Sequence, residues 1–483
     1  MNRLLLIVLM MLSLKAQAVH VNPDGLGEVL LLPYYSVNNN LNSLITLNNH
    51  SDQGKAIKVN IRESHNGYAG MSLNVYLAPF DSWTFGVYPV QSSVPEFYGA
   101  PTAQLYTTDH SCSSLDSEQP TELDHRALVD GSPTLQRFTE GFIEILEMGV
   151  VTGESLEHIT HTAGGVPQNC AAIEANWLSE GMWHGPTGGN AEQDLQPPAG
   201  QLSAELNLID VAQGLNFSLQ ATALADFYPA NHIPHVSPAD DSLSLDAAHT
   251  TAWVMLGGVP VSLLFERGID AISGLLMTSR YIINYDINPA IKAQTELVIS
   301  FPTRRFYLRE DAIGMDPPFE AQSIGEEPNA AYYGMNEMGL IMMSREAESG
   351  VQYCGGHGGC PIRPQYDVAG SVGVVVFRET NSQAPPEITG GHNAVINREI
   401  PFHRADDQPG YEGVVLGDLA GDRNRPFTAT RIDNSVQLKL FGLPAMGVML
   451  QTYSNGNAKP GLLAQYGGIQ PVRTEPLNAS EIE

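Results

Sequence analysis

Two histidine pairs are the first residues in this chain whose types and spacing could do chemistry: His158-Ile159-Thr160-His161 and His232-Ile233-Pro234-His235. Four imidazoles brought together would suit zinc or copper. Pro234 puts the second pair in a loop rather than on a preset helical face. A chain of 483 residues with 14 histidines produces such spacings by chance, so ordinary loop histidines are the plainer reading. Glu140, Glu144 and Glu147 crowd one apolar stretch, and paired carboxylates are the machinery of glycoside hydrolysis. On a strand, Glu140 and Glu144 share a face while Glu147 points away, and solvated strand positions explain all three more simply.

Other constellations are weaker. The loop from Asp418 to Asn424 (DLAGDRN) could offer oxygens to calcium, but it lacks the full alternating oxygen pattern. Met335, Met338, Met342 and Met343 could hold copper(I), yet methionine is also a common core filler. Tyr34, Tyr35, Tyr76, Trp83 and Tyr88 could form an aromatic platform for sugars. Trp83, alternating with Phe85, reads better as a core anchor. A Gly-x-Ser-x-Gly elbow, a Walker loop, His-Glu-x-x-His and a dinucleotide fingerprint are all missing from the sequence. No residue is therefore assigned a catalytic, cofactor-binding or metal-ligating role, and calcium is the one cofactor the composition leaves open.

The amino terminus speaks to location. Arg3 is followed by the apolar run Leu4 to Leu14 and by Ala16-Gln17-Ala18, the small-x-small pattern of a signal-peptidase site. Residues 1–18 are thus expected to be a signal peptide, and the chain to be exported to the periplasm, outer surface or exterior. The run is shorter than the ~20 apolar residues of a membrane span. No later stretch reaches that length, so no integral membrane segment is expected after cleavage. An outer-membrane barrel fits poorly with strands that carry solid apolar runs and with the closing Ser480-Glu481-Ile482-Glu483. A net charge of −29 repels nucleic acid and anionic lipid, which excludes both as expected partners.

Four cysteines in an exported chain imply two disulfides. Among the three pairings, Cys112 with Cys170 and Cys354 with Cys360 are favoured. The second closes Cys354-Gly355-Gly356-His357-Gly358-Gly359-Cys360, whose glycines tolerate the dihedrals of a tight ring. A metal site built there would have only Cys354, Cys360 and His357 as ligands, one short of the usual four.

Period-2 alternation positions these groups. Ile57, Val59 and Ile61 alternate with Lys58, Asn60 and Arg62; after Asn66-Gly67, Met71, Leu73, Val75 and Leu77 alternate with Ser72, Asn74 and Tyr76. That is a hairpin with one face in a core and the other facing water or a second layer. Pro33 in the run Glu28 to Val37 suggests an edge or bulged strand. Further strands are expected over Phe142–Met148, Leu202–Leu219, Thr295–Tyr307, Gly339–Met343, Val372–Phe377, Val436–Phe441 and Val448–Tyr453, and the best helix over Ile269–Tyr285. The acidic, proline-bearing residues 311–330 read as a linker. The expected fold is mainly β: two immunoglobulin-like β-sandwich domains, residues 19–310 and a smaller one over 331–483, with long loop excursions and one or two short helices.

The phrases GLGEVLLLPYYSV (25–37), SLNVYLAPFDSWT (72–84), FIEILEMGV (142–150) and TELVISFPTRRFY (295–307) resemble those of a family of uncharacterised exported, surface-type proteins of Gram-negative bacteria. The resemblance implies an exported bacterial β-protein and carries no reaction, ligand or site residue with it. Taken together, the expected function is that of a secreted, non-enzymatic surface, adhesion or assembly protein with a protein or polysaccharide partner. The alternatives are an extracellular carbohydrate-active hydrolase and a periplasmic metal-handling accessory protein. Amino-terminal sequencing of the exported protein is expected to return Val19; a chain that still begins at Met1 would overturn the signal-peptide reading.

Overall fold

The computed structural model describes residues 18–123, 134–308, 315–319, 335–343, 365–378, 384–399, 410–416, 427–455, 464–470, 472–474, 477 and 479–482. The chain is mainly β, built from several antiparallel sheets with short helices between them. Two of these sheets form a sandwich. The first has Val29–Ser36, Glu140–Val151, Gly54–Glu63 and Ala69–Leu77 as its central strands. The second runs Leu215–Gln220, Leu202–Asp210, Leu41–Asn49, Ser82–Gln91 and Pro101–Tyr106.

The alternating hairpin forms as its pattern requires. Ile57 lies opposite Val75, Val59 opposite Leu73 and Ile61 opposite Met71, in one register that shifts only between Ile61 and Arg62, beside the Asn66-Gly67 turn. Gly67 takes a positive φ of 76°, the left-handed conformation such a reversal needs. Ile57, Val59, Ile61, Leu73, Val75 and Leu77 enter one core with Ile45, Leu47, Trp83 and Phe85 of the facing sheet. The alternate face meets a second layer of chain rather than water: Lys58, Asn60, Arg62, Asn74 and Tyr76 are all buried. The first sheet is therefore covered on both sides, its other face supplying Val29, Leu31, Leu146 and Met148 to a second core.

Pro33 sits in the sheet interior, in the bulged form of the expectation and not the edge form. Between Gly141 opposite Tyr35 and Ile143 opposite Leu32 the register shifts, which places the proline, lacking an N–H, where the ladder is already interrupted. The helix expected over Ile269–Tyr285 covers Gly268–Leu276 alone. Its start is closed by Asp270, whose carboxylate accepts from the backbone N–H of Arg267 at 3.2 Å. Beyond Leu276 the chain turns into the strand Arg280–Tyr285, with Tyr281, Ile283 and Tyr285 buried in alternation. That strand pairs with Gly410–Leu416, a partner too distant in sequence for a local pattern to announce.

The expected boundary at 311–330 does not separate the sheets. Gln294–Ser300, assigned to the amino-terminal domain by sequence, is flanked by Val372–Arg378 and Met446–Asn455. Val259–Leu264 likewise pairs with Phe427–Arg431. Within the expected linker, Met315 and Phe319 are buried, with the Phe319 ring against Phe301 and Tyr307. Two large apolar side chains suffice to dock residues 315–319 on the core.

Cys112 and Cys170 are bonded, with Cα atoms 5.0 Å apart, tying the short helix Cys170–Ala175 to the strand Cys112–Ser113 at the sheet edge. Closing so long a loop stabilises by on the order of 4 kcal/mol in the chain-entropy model. Cys354 and Cys360 lie outside the described residues, as do residues 1–17.

Replacing Val59 or Val75 by Asp should unfold the amino-terminal sandwich, because an unpaired buried carboxylate costs several kcal/mol against a total stability of roughly 5–15 kcal/mol. Circular dichroism melting checks this; mild, equal effects of both substitutions would contradict the observed register.

Candidate functional site: buried charges and an apolar cleft

The three glutamates that sequence offers as acid–base groups come together on one strand, Glu140–Val151, and each is consumed there by partners of its own. Arg62 donates through Nε to Glu144 at 2.9 Å, with both side chains buried. Lys55 Nζ lies 2.8 Å from Glu147, which also accepts from the backbone N–H groups of Ala199 and Gly200. Burial outweighs these partners and raises the Glu147 pKa above the usual carboxylate range. Glu140 accepts from the Tyr34 hydroxyl and from the N–H groups of His392 and Asn393, and lies 3.0 Å from His392 Nδ1. Burial pushes Glu140 up as well, but the His392 contacts and the amides prevail and hold it below the ordinary value.

A fourth carboxylate escaped sequence reading. Glu63 accepts from Arg137 Nε at 2.7 Å and from the N–H groups of His65, Asn66 and Tyr68, so it organises the hairpin turn from within. Nothing local marks it, because Arg137 lies beyond a long excursion in sequence. None of these acids is solvent-exposed, and such buried pairs serve to satisfy one another, since removing one partner strands the other at a cost of about 3–5 kcal/mol.

The histidine pairs do not converge. His161 faces Asp81 at 3.2 Å and His158 faces Glu154 at 3.7 Å. His235 is enclosed by Tyr76, Trp177 and Trp183, with ring centroids 4.7–5.9 Å from its own. Its Nδ1 donates to the Ala191 carbonyl at 2.7 Å and its Nε2 meets the Tyr76 hydroxyl at 3.0 Å, so both ring nitrogens are occupied. Burial lowers its pKa to about 4. His232 is exposed. Among the described residues no group of three or more His, Cys, Asp or Glu is placed to hold a metal ion. The calcium-type loop Asp418–Asn424 is outside the described residues, and Met335, Met338, Met342 and Met343 fall in the strand Met335–Met343. The aromatic platform does not assemble: Tyr34, Tyr35 and Trp83 are fully buried, Trp83 against Phe85 at 4.6 Å, Tyr76 stacks on Trp183, and Tyr88 alone of the five stays partly exposed.

The polar face of the Gly54–Leu77 hairpin carries an irregular strap, residues 226–246. Glu28 accepts from Phe227 N–H, Asn74 donates to Val236 O, Lys58 to Ser237 O and Pro238 O, and Asn60 to Leu243 O. Burial raises the Glu28 pKa to about 7 and lowers that of Lys58 to about 7.

The space open to a ligand is elsewhere. A cleft of about 1140 Å³ lies where the strand Leu215–Gln220, the hairpin Thr251–Leu264, the end of the helix Gly268–Leu276 and the strands Met446–Asn455 and Ala464–Gln470 meet. Leu219, Trp253, Met255, Leu276, Met446 and Ile469 are among the side chains on its walls. Asp226 is the one carboxylate among the described lining residues. The available signal was the hairpin TAWVMLGGVPVSLL, two apolar runs about Gly257-Gly258, which leaves Trp253 and Met255 in part exposed. Compared with protein-family models, curated proteins and solved structures, this chain matches none.

The strap makes stability depend on pH with opposite signs. Glu28 binds its proton more tightly folded than unfolded, so its contribution is full below pH 4.5 and is lost as pH rises through about 7. Lys58 binds its proton less tightly folded, so its contribution is present above pH 10.5 and lost as pH falls through about 7. In urea midpoints measured across pH, Glu28→Gln should flatten the acid limb alone and Lys58→Met the alkaline limb alone. Unchanged limbs would show that these groups titrate as if in water.

Proposed function

We propose that this chain is an exported, non-enzymatic protein that works by binding, in adhesion or assembly at the bacterial surface, with a protein or polysaccharide as partner. One observation carries the reading: the carboxylates that could have performed hydrolysis are buried and bonded within the strand Glu140–Val151 and its neighbours. General acid–base work requires a carboxyl within hydrogen-bond reach of a bound substrate. Retaining or inverting hydrolysis further requires two of them flanking the scissile bond. Glu140, Glu144 and Glu147 meet neither condition, and Asp226 is the one carboxylate among the described residues that line the cleft. The Cys112–Cys170 bond supports export, because such bonds persist in oxidising compartments.

The test combines location with turnover. Fractionation of the producing cells should place the chain beyond the inner membrane, and the purified protein should be retained on immobilised cell-surface polysaccharide or envelope protein without releasing reducing ends. Retention in the cytoplasm, or reducing ends released by the purified wild-type chain, would overturn the reading.

A further inference from the structure

The geometry points to the cleft as a binding site for an uncharged amphiphile, an acyl chain ending in a hydroxyl or ester head. At about 1140 Å³ it is slightly larger than the roughly 300–1,000 Å³ typical of small-molecule sites, room for an extended chain. The inference goes beyond the surface-binding reading and does not depend on where the chain acts.

Three features select this ligand. The walls are apolar over most of their extent, and they leave large side chains open that a folded chain would otherwise bury. Met255 is 54% exposed and Trp253 41% exposed. A sugar would leave such a surface unsatisfied, whereas an alkyl chain removes it from water. Second, Met255, Met277 and Met446 approach from three separate elements. Unbranched thioethers repack readily, which suits a flexible chain better than a rigid ring system.

The third feature is the charge at the polar wall. His20, Thr222 and Asp226 come from two adjoining strands and the residue that follows them, with His20 Nδ1 3.7 Å from Asp226. Glu28 lies close enough to Asp226 for the two carboxylates to repel. Among the described lining residues there is neither Lys nor Arg. A fatty-acid carboxylate would meet the like charge of Asp226, which already engages His20, with no Lys or Arg among the described lining residues to offset it, while a hydroxyl or ester finds donors and acceptors in His20 and Thr222.

Displacement of N-phenyl-1-naphthylamine from the mature protein tests this, with monoolein and oleate as competitors at a pH where oleate is ionised. Monoolein should displace the probe saturably, and oleate should compete at least about ten-fold less well, a difference of 1.4 kcal/mol. Asp226→Asn should close most of that gap. Met255→Glu, at an exposed position that leaves the fold intact, should weaken monoolein by about ten-fold or more. Leu219→Glu should do the same, with its circular dichroism checked against wild type. Trp253→Phe should keep probe displacement while removing the change in tryptophan emission. No saturable displacement, oleate competing as well as monoolein, or a Met255→Glu variant that binds like wild type would each overturn the proposal. Displacement by an extended apolar peptide but not by monoolein would overturn it too, in favour of strand addition at Leu215–Gln220.

Discussion

The rest of the structure depends on one constraint: the sheet containing Gly54–Glu63 and Glu140–Val151 is covered on both faces. Every residue of those two strands is buried. A strand in that position cannot hand its polar side chains to water, so each charge placed there must find its complement inside the protein. Lys55 finds Glu147, Arg62 finds Glu144, and Glu63 finds Arg137. Such pairs add little net stability over apolar residues of the same shape. What they do is penalise any other arrangement, since a slipped register would leave several charges buried and unpaired at once.

The same constraint explains how the irregular parts are held. A long segment without regular structure, such as residues 226–246, has backbone carbonyls that need donors. The sheet supplies them from its polar face, through Lys58, Asn60 and Asn74. The alternation that looked like a wet face is therefore an adhesive one. The aromatic enclosure of His235 continues it, with Trp177 donating to the Tyr76 hydroxyl at 2.9 Å and Tyr76 meeting His235. The disulfide Cys112–Cys170 then anchors the helical excursion that contributes Trp177 and Trp183.

Matched charge and open apolar surface are in this way separated in space. Polar groups of high charge lie within the layers, where they are matched, and the cleft has mostly apolar walls with Asp226 as the one carboxylate among its described lining residues.

By itself the sequence determined what local patterns can encode. Strict alternation on both sides of Asn66-Gly67 specified the hairpin and its six inward residues, because the side-chain period of a strand leaves only one way to bury them, while the register shift between Ile61 and Arg62 was not written in it. The expectation that Cys354 pairs with Cys360 left Cys112 and Cys170 for each other, and those two are bonded. Tertiary structure alone decided the rest. Whether Lys58 met water or a second layer depended on residues 236–243, far along the chain. The strand at Arg280–Tyr285, read as helix from its apolar stripe, was settled by pairing with Gly410–Leu416. The cleft is assembled from elements spread between His20 and Leu477, and no window of sequence contains it. Contacts of that range carry no periodicity of their own, so they became legible only once the sheets had brought their owners together.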